Sequence, residues 1–215
     1  MSLLWWRCAP RLAVFLAVLF LPLASRLAAD EYRIVRLEEE WELVVTDPDV
    51  ETAGPQITCI LAPRGVGTGT FATLELNHSS EYEFTPGGVH LQLWDGETHQ
   101  GVRSVNLYTP LAQRNETIRW KQAMSLSNGV LTFEIKEGQS TTWGNFTDSG
   151  TLKFQTPSPA TSLNSYSPDQ AAKLSGIGYG SNRVGSLTLK KVKLWTESGA
   201  TGEWNVPRTV YTAGE

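Results

Sequence analysis

The chain has 215 residues, of which 40% are hydrophobic, and it carries a formal charge of −4 at pH 7. A chain of this size can bury one sizeable hydrophobic core. Its acidic balance argues against nucleic acid or an anionic lipid surface as a partner, because both attract basic proteins.

Residues 1–29 have the layout of a secretory signal peptide. Arg7 and Arg11 precede an apolar run at 12–24, and small residues follow that run. The run is shorter than the about 20 residues that cross a bilayer comfortably. We therefore expect cleavage after Ala29 and a mature domain, 30–215, that is secreted, periplasmic or at the cell surface, with no further membrane association. An uncleaved anchor is the alternative.

Cleavage there removes three arginines and no acid, which leaves 15 basic and 22 acidic residues and a formal charge of −7. It also leaves Cys59 as the one cysteine of the mature domain. Cys59 lies in the apolar run GPQITCIL. We therefore expect a buried thiol and a fold held by its core without an internal disulfide.

Beyond Asp30 the apolar residues alternate over short segments that Gly, Pro, Asn and Asp interrupt, which is typical of β-strands. The predicted strands are Arg33–Leu37, Trp41–Thr46, Gln56–Leu61, Thr70–Asn77, Val89–Trp94, Val102–Tyr108, two runs within Ile118–Lys136, Ser140–Trp143, Thr151–Gln155 and Val184–Thr196. So many short strands predict an all-β domain, built as a two-sheet sandwich or a barrel.

Three local features refine this prediction. Asn128-Gly129 joins two alternating runs, which is the strongest short signal for a β-hairpin. The alternation slips at Lys190-Lys191, and one extra residue there predicts a β-bulge. Ser167-Pro168-Asp169 predicts a cap for one short helix over Asp169–Leu174.

The most acidic run is Glu38-Glu39-Glu40-Trp41-Glu42. On a strand, Glu38, Glu40 and Glu42 share one face, at spacings of about 7 Å. Paired carboxylates can cleave glycosidic bonds, but only where their environments separate the two pKa values. The preferred interpretation is a solvated strand edge that discourages aggregation.

Enzyme and metal-binding signatures are scarce. The sequence has no G-x-S-x-G, H-E-x-x-H or P-loop motif. His78, His90 and His99 lack a metal-ligand spacing with an acid nearby, so we predict no catalytic residue, metal site or cofactor. The turn Asp47-Pro48-Asp49 offers oxygen ligands for calcium, but no further ligands follow it, and a plain turn is preferred.

One group of polar and aromatic residues is typical of sugar binding. On two predicted strands these residues alternate with aliphatic ones, so they share an outer face if the aliphatic ones face the core. A tryptophan stacks on a sugar ring, and amide and carboxylate groups hydrogen-bond its hydroxyls. The predicted ligand-binding residues are Glu75, Asn77, His90, Gln92 and Trp94, with Arg119 and Glu134 added from the hairpin. The alternative is an ordinary polar face with cross-strand charge pairs, such as Glu134 with Arg119 or Lys121.

The order of several segments resembles that of uncharacterised exported bacterial proteins of the concanavalin A-like lectin/glucanase superfamily. The segments EEEWELVVTDPD, GPQITCILAP, GGVHLQLW, STTWGNF and SLTLKKVKLW carry this resemblance. It implies a jelly-roll sandwich of two antiparallel sheets. The superfamily's hydrolases carry an E-x-D-x-x-E strand, whereas ELNHSSE (75–81) keeps only Glu75 of that pattern.

The sequence therefore favours a non-catalytic domain that binds carbohydrate or another extracellular polymer. Two hypotheses remain beside it. One is a glycoside hydrolase with a degenerate site, in which Glu75 and Glu134 are the acids. The other is a structural protein of a cell surface or matrix that has no small ligand.

Overall fold

The computed structural model describes residues 32–46, 56–64, 69–76, 87–107, 111, 114–147, 150 and 152–214. These residues form two antiparallel sheets and one short α-helix. The predicted all-β fold with two sheets is thereby confirmed. The predicted signal peptide and the turn Asp47-Pro48-Asp49 lie outside the described residues.

The elements follow one another with short connections. In chain order they are β1 (Ile34–Val45), β2 (Gln56–Leu61), β3 (Thr70–Leu76), β4 (Gly87–Asp95), β5 (Thr98–Leu107), β6 (Glu116–Ser127), β7 (Val130–Ser140), β8 (Gly144–Asn145), β9 (Lys153–Pro157), α1 (Pro168–Leu174), β10 (Gly176–Tyr179), β11 (Val184–Thr196), β12 (Thr201–Trp204) and β13 (Arg208–Thr212).

The strands divide into a larger and a smaller sheet. The eight-stranded sheet has the order β12-β11-β1-β6-β7-β8, with β13 also pairing with β11 and β9 with β7. The five-stranded sheet has the order β10-β2-β3-β4-β5. Each sheet thus offers one face to the core and one outer face.

The core lies between the sheets and consists of the aliphatic and aromatic residues that alternate inward along both. In the larger sheet, Trp41 and Trp120 are each 1% exposed and stack with ring centroids 6.2 Å apart. In the smaller sheet, Leu74 and Leu91 are equally buried, and Cys59 is fully buried, as predicted. Burial of this apolar surface is the main stabilising contribution to the fold.

Two predicted details of the larger sheet are confirmed. Asn128 and Gly129 join β6 to β7, and both have the positive φ angles (50° and 71°) that a tight hairpin turn requires. In β11, Lys191 pairs with Glu40 and Leu189 pairs with Trp41. Lys190 is therefore the extra residue of the bulge.

The single helix, α1, begins where the sequence predicts a cap. The Ser167 side chain accepts a hydrogen bond from the backbone N–H of Gln170, and Pro168 occupies the first turn, where no N–H is required. Seven residues make up α1. In the described ranges, no helix has the length and apolar character that crossing a bilayer requires.

Strand boundaries differ from the prediction in several places. The runs Arg33–Leu37 and Trp41–Thr46 belong to one strand, β1, because the glutamates between them pair with β6 and β11 without interruption. Ser140–Trp143 is mainly a turn rather than a strand. There the Glu116 carboxylate accepts hydrogen bonds from the Thr142 N–H (2.8 Å) and hydroxyl (2.6 Å). The short strands β8, β10, β12 and β13 had no counterpart among the predicted strands.

Candidate functional site

The outer face of the five-stranded sheet carries four of the residues predicted to bind a ligand. Glu75 on β3 lies opposite His90 on β4, and Trp94 on β4 lies opposite Phe71 on β3. Gln92 lies between His90 and Trp94 on the same side of β4. All four predicted residues are half-buried, whereas the residues between them face the core. Asn77 lies outside the described residues.

A short chain of hydrogen bonds links three of these side chains. The Gln92 amide donates from Nε2 to Glu75 Oε2 at 2.5 Å. The Trp94 indole donates from Nε1 to Gln92 Oε1 at 3.1 Å. Because each bond fixes the orientation of the next group, the indole ring of Trp94 is held in one direction relative to the sheet.

Aromatic contacts hold Trp94 from its two neighbouring strands. Its ring is parallel to that of Phe71 within 8°, with centroids 6.4 Å apart. From β5, the centroid of the His99 ring lies 5.0 Å from that of Trp94, and the two ring planes are inclined at 58°. Phe71 is buried and Trp94 is half-buried, so Trp94 is the ring of this pair that a ligand can reach.

Beneath these groups the outer face has a buried floor. Ile60, Phe71 and Thr73 face outward on the central strands, yet each is only 7% exposed. The Thr73 hydroxyl has no hydrogen-bond partner within the part of the chain that the structure describes. A buried hydroxyl without a partner costs free energy, and such groups require an explanation.

The carboxyl group of Glu75 is chemically unusual. Burial raises the pKa of Glu75 to about 7, and the hydrogen bond from Gln92 offsets part of that rise. Near neutral pH the group is therefore divided between a carboxylate, which only accepts hydrogen bonds, and a carboxylic acid, which also donates one. Both forms can bind a sugar hydroxyl, which is itself a donor and an acceptor.

The structure does not bring Arg119 and Glu134 to this face. Both lie on the eight-stranded sheet, because the hairpin β6–β7 pairs with β1 rather than with β3 or β4. The predicted charge pair is also absent: Arg119 binds Glu42 at 3.0 Å, and Glu134 lies opposite Ala123 and Lys153. Glu75 and Glu134 therefore do not form the acid pair that a degenerate glycosidase site would require.

The outer face of the eight-stranded sheet is instead covered by ion pairs. Glu38 contacts Lys121 (Oε1 to Nζ, 3.5 Å), Lys136 and Arg36. Burial alone would raise the pKa of Glu38, but the hydrogen bond and charge of Lys136, with the charge of Lys121, hold it below its usual value. The solvated-edge interpretation of these glutamates is wrong, since β1 lies between β6 and β11.

One acidic residue of this run, Glu39, points into the core, and its burial was not predicted from the sequence. Glu39 is fully buried and accepts hydrogen bonds from Trp41 Nε1 (2.7 Å), Gln122 Nε2 (2.5 Å) and the Tyr166 hydroxyl (2.6 Å). Burial raises the pKa of Glu39 to about 7, although these three donors lower it in part. The alternation Leu37, Glu39, Trp41 was the available signal, because it assigns Glu39 to the core face.

Tryptophans other than Trp94 are divided between the core and the surface. Trp143 and Trp204 are half-buried and pack against the core. Trp195, by contrast, lies on the outer face of the larger sheet, where Arg36 (4.9 Å) and Lys193 (5.1 Å) approach its ring. Trp195 is thus a surface tryptophan held by two cations.

Comparisons with known proteins add no assignment. The chain matches no protein-family model, and searches of curated proteins and of solved structures gave no significant match. Within the described ranges, no group of three or more His, Cys, Asp and Glu side chains is arranged to hold a metal ion. The geometry of the outer face is therefore the basis on which a function is proposed.

Proposed function

We propose that this protein is an exported, non-catalytic β-sandwich domain that binds carbohydrate, or another hydroxyl-rich extracellular polymer, through the outer face of its five-stranded sheet. The proposal includes the jelly-roll arrangement that the resemblance to the concanavalin A-like superfamily implies. The observation that carries it is the chain Glu75–Gln92–Trp94, which presents an oriented tryptophan beside amide and carboxyl groups.

The contrast between the two outer faces supports this choice of surface. On the eight-stranded sheet, Glu38 and Glu42 already bind cations, so few charged groups remain for a ligand. On the five-stranded sheet, Glu75 is the one carboxylate among the outward positions described on β2–β5. A neutral, hydroxylated ligand loses little hydration energy on such a face and gains apolar contact with Trp94.

The buried floor adds a second argument. Thr73 lies between Phe71 and Glu75 on β3 and opposite Gln92, so its unpartnered hydroxyl is at the centre of the proposed face. If the side chains above it move when a ligand binds, a sugar hydroxyl or a bridging water near Gln92 would satisfy it. In this proposal Trp94 provides the stacking surface, and Glu75, His90 and Gln92 provide the polar contacts.

A glycan array probed with the purified protein tests the proposal, followed by calorimetry on any glycan that binds. We expect Trp94→Ala to weaken binding about tenfold or more, because buried aromatic anchors dominate such interfaces. Trp195→Ala is the matched control, since it removes a half-buried tryptophan from the other sheet. No binding by a well-folded sample, or equal affinities for the two variants, would contradict the proposal.

A further inference from the structure

A cleft at one end of the sandwich is not part of the proposed carbohydrate-binding face. Its volume is about 450 Å³, which lies within the range of about 300–1,000 Å³ found for small-molecule sites. Its walls come from both sheets: Thr70 and Asp95 belong to the five-stranded sheet, and Leu131 belongs to the eight-stranded one.

The cleft is separate from the Trp94 face. Thr70 and Asp95 pair with each other at the ends of β3 and β4, one residue beyond the pair Phe71–Trp94. Since side chains alternate along a strand, Thr70 and Asp95 point to the side of the sheet opposite Trp94. A ligand in the cleft therefore does not touch the proposed carbohydrate face.

The walls of the cleft are conformationally restricted. Pro63, Pro157 and Pro159 line it, and each has a fixed φ angle. Backbone hydrogen bonds tie the neighbouring loops together, from Gly96 N–H to the Gly69 carbonyl (3.0 Å) and from Ser158 N–H to the Gly129 carbonyl (2.8 Å). A preformed cavity of this kind loses little conformational entropy when a ligand binds.

Two opposite charges border the cleft without pairing with each other. Arg64 is exposed, and within the described residues its guanidinium makes no ion pair. Asp95 is also exposed, and its one side-chain contact in the described ranges is a long hydrogen bond of 3.5 Å from the Thr70 hydroxyl. Arginine commonly satisfies its planar donors with a carboxylate or phosphate, and Asp95 accepts hydrogen bonds from hydroxyls.

We propose that this cleft is a second binding site, specific for a hydroxylated carboxylate, in which Arg64 binds the ligand's carboxylate and Asp95 accepts hydrogen bonds from its hydroxyls. A sugar acid has both groups on one ring. A carboxylate bound by Arg64 replaces water on a guanidinium that no acid among the described residues has already neutralised. The Asp95 carboxylate repels ligands that carry a second anionic group on the hydroxyl side, so a monoanion is favoured.

The test is a titration of the isotopically labelled protein with D-galacturonate, followed by backbone amide NMR. We expect shifts at Thr70, Leu131 and Ala160, which line the cleft. The methyl ester of the same sugar, which has no charge, should shift these amides much less. Shifts confined to other parts of the protein, or equal responses to the acid and its ester, would overturn the assignment.

Variants at Arg64 complete the test. Arg64→Gln should weaken galacturonate binding by roughly 10- to 100-fold, and Arg64→Lys should fall between it and the wild type, because lysine cannot form the bidentate contact. Lys173→Gln on α1 removes the same charge elsewhere and should bind as the wild type does. Equal affinities for Arg64→Gln and Lys173→Gln would overturn the proposal.

The source of the ligand is decided by a parallel titration with an oligogalacturonate. Arg64-dependent binding of the oligomer alone identifies an acidic sugar within a polymer, while binding of both identifies a free sugar acid as sufficient. Because the Trp94 side chain lies on the opposite side of the sheet from the cleft, failure of the carbohydrate-face proposal and failure of this one are separately observable.

Discussion

At the scale of single residues, the fully buried Glu39 has an unusual environment for a carboxyl group. It has three hydrogen-bond donors, from Trp41, Gln122 and Tyr166, but no cation among the contacts that the structure gives it. Ion pairing therefore does not compensate for the removal of its charge from water, and the neutral form is favoured. Protonation of Glu39 is in this way coupled to the stability of the fold.

Glu39→Gln should remove one source of the loss of stability that accompanies rising pH. In the unfolded chain this carboxyl group loses its proton near pH 4.5, whereas in the folded protein it keeps the proton up to about pH 7. The contribution of Glu39 to the free energy of unfolding therefore becomes less favourable as the pH rises from 4.5 to about 7, and it is constant above that range. We expect the free energy of unfolding of Glu39→Gln, relative to wild type, to increase by about 3 kcal/mol from pH 4 to pH 8 in urea titrations.

Glu42→Gln provides a control of opposite sign. Although burial opposes it, contacts with Lys190 and Arg119 lower the pKa of Glu42, so this carboxylate stabilises the fold above its unfolded pKa and loses that effect as the solution becomes acidic. The variant should therefore lose stability relative to wild type at neutral pH and less so in acid. A difference between Glu39→Gln and wild type that does not change with pH would contradict the assignment.

At the scale of elements, strand β7 departs from regular pairing with β6 at one position. Arg119 pairs with Gln139 and Lys121 with Lys136, so two residues of β7, Glu137 and Gly138, face one residue of β6. Glu137 has a φ of 53°, which is uncommon outside glycine. The Phe146 ring lies directly against Gly138, so the bulge allows the segment after β7 to fold back over it.

Gly138→Ala should destabilise the protein by about 1–3 kcal/mol, because overpacking forces neighbouring atoms out of their positions. A Cβ added at Gly138 would lie 2.3 Å from Phe146 Cε2, which is far inside a normal contact distance. Thermal and urea unfolding measure the loss.

Two further variants separate this clash from a general effect of alanine. Gly176→Ala is the matched control on β10, because an added Cβ there meets nothing within 4 Å. Combining Gly138→Ala with Phe146→Leu should cost less than the sum of the two single changes, since the smaller side chain relieves the contact. Strict additivity would show that Phe146 is not the source of the strain.

The same scale explains what the sequence predicted and what it did not. Alternation assigned Glu75, His90, Gln92 and Trp94 to one face, because this signal is local to each strand. The same reasoning wrongly placed Arg119 and Glu134 on that face, because their sheet depends on the pairing of β6 with β1, about 75 residues earlier in the chain. The burial of Glu39 was not predicted, because the run of glutamates was interpreted as a solvated strand edge. Alternation along the strand would have placed Glu39 on the core face.

At the scale of the whole molecule, the two outer faces carry different kinds of chemical groups. One face is covered by paired charges, and the other presents amides, histidines and an oriented tryptophan. The interaction between surface ion pairs is screened by salt, whereas aromatic stacking and neutral hydrogen bonds are affected little. Salt dependence therefore distinguishes which part of the molecule a ligand occupies.

Binding of a neutral glycan to the Trp94 face should be nearly independent of ionic strength. Between about 0.05 and about 0.5 M NaCl, we expect its Kd to change by less than about twofold in calorimetric titrations, because no formal charge on the ligand is screened. Binding of galacturonate in the cleft is the comparison, since its contact with Arg64 weakens as salt rises. A strong salt dependence for the neutral glycan would indicate that it binds elsewhere.

Cys59 provides a natural reporter for the opening of this fold. The thiol is fully buried in the core, and burial raises its pKa well above the ordinary value. Only an accessible thiolate reacts rapidly with a disulfide reagent, so Cys59 can be modified only after the two sheets separate. Under native conditions the labelling rate of this one atom then measures how often the sandwich opens, with no denaturant and no engineered probe.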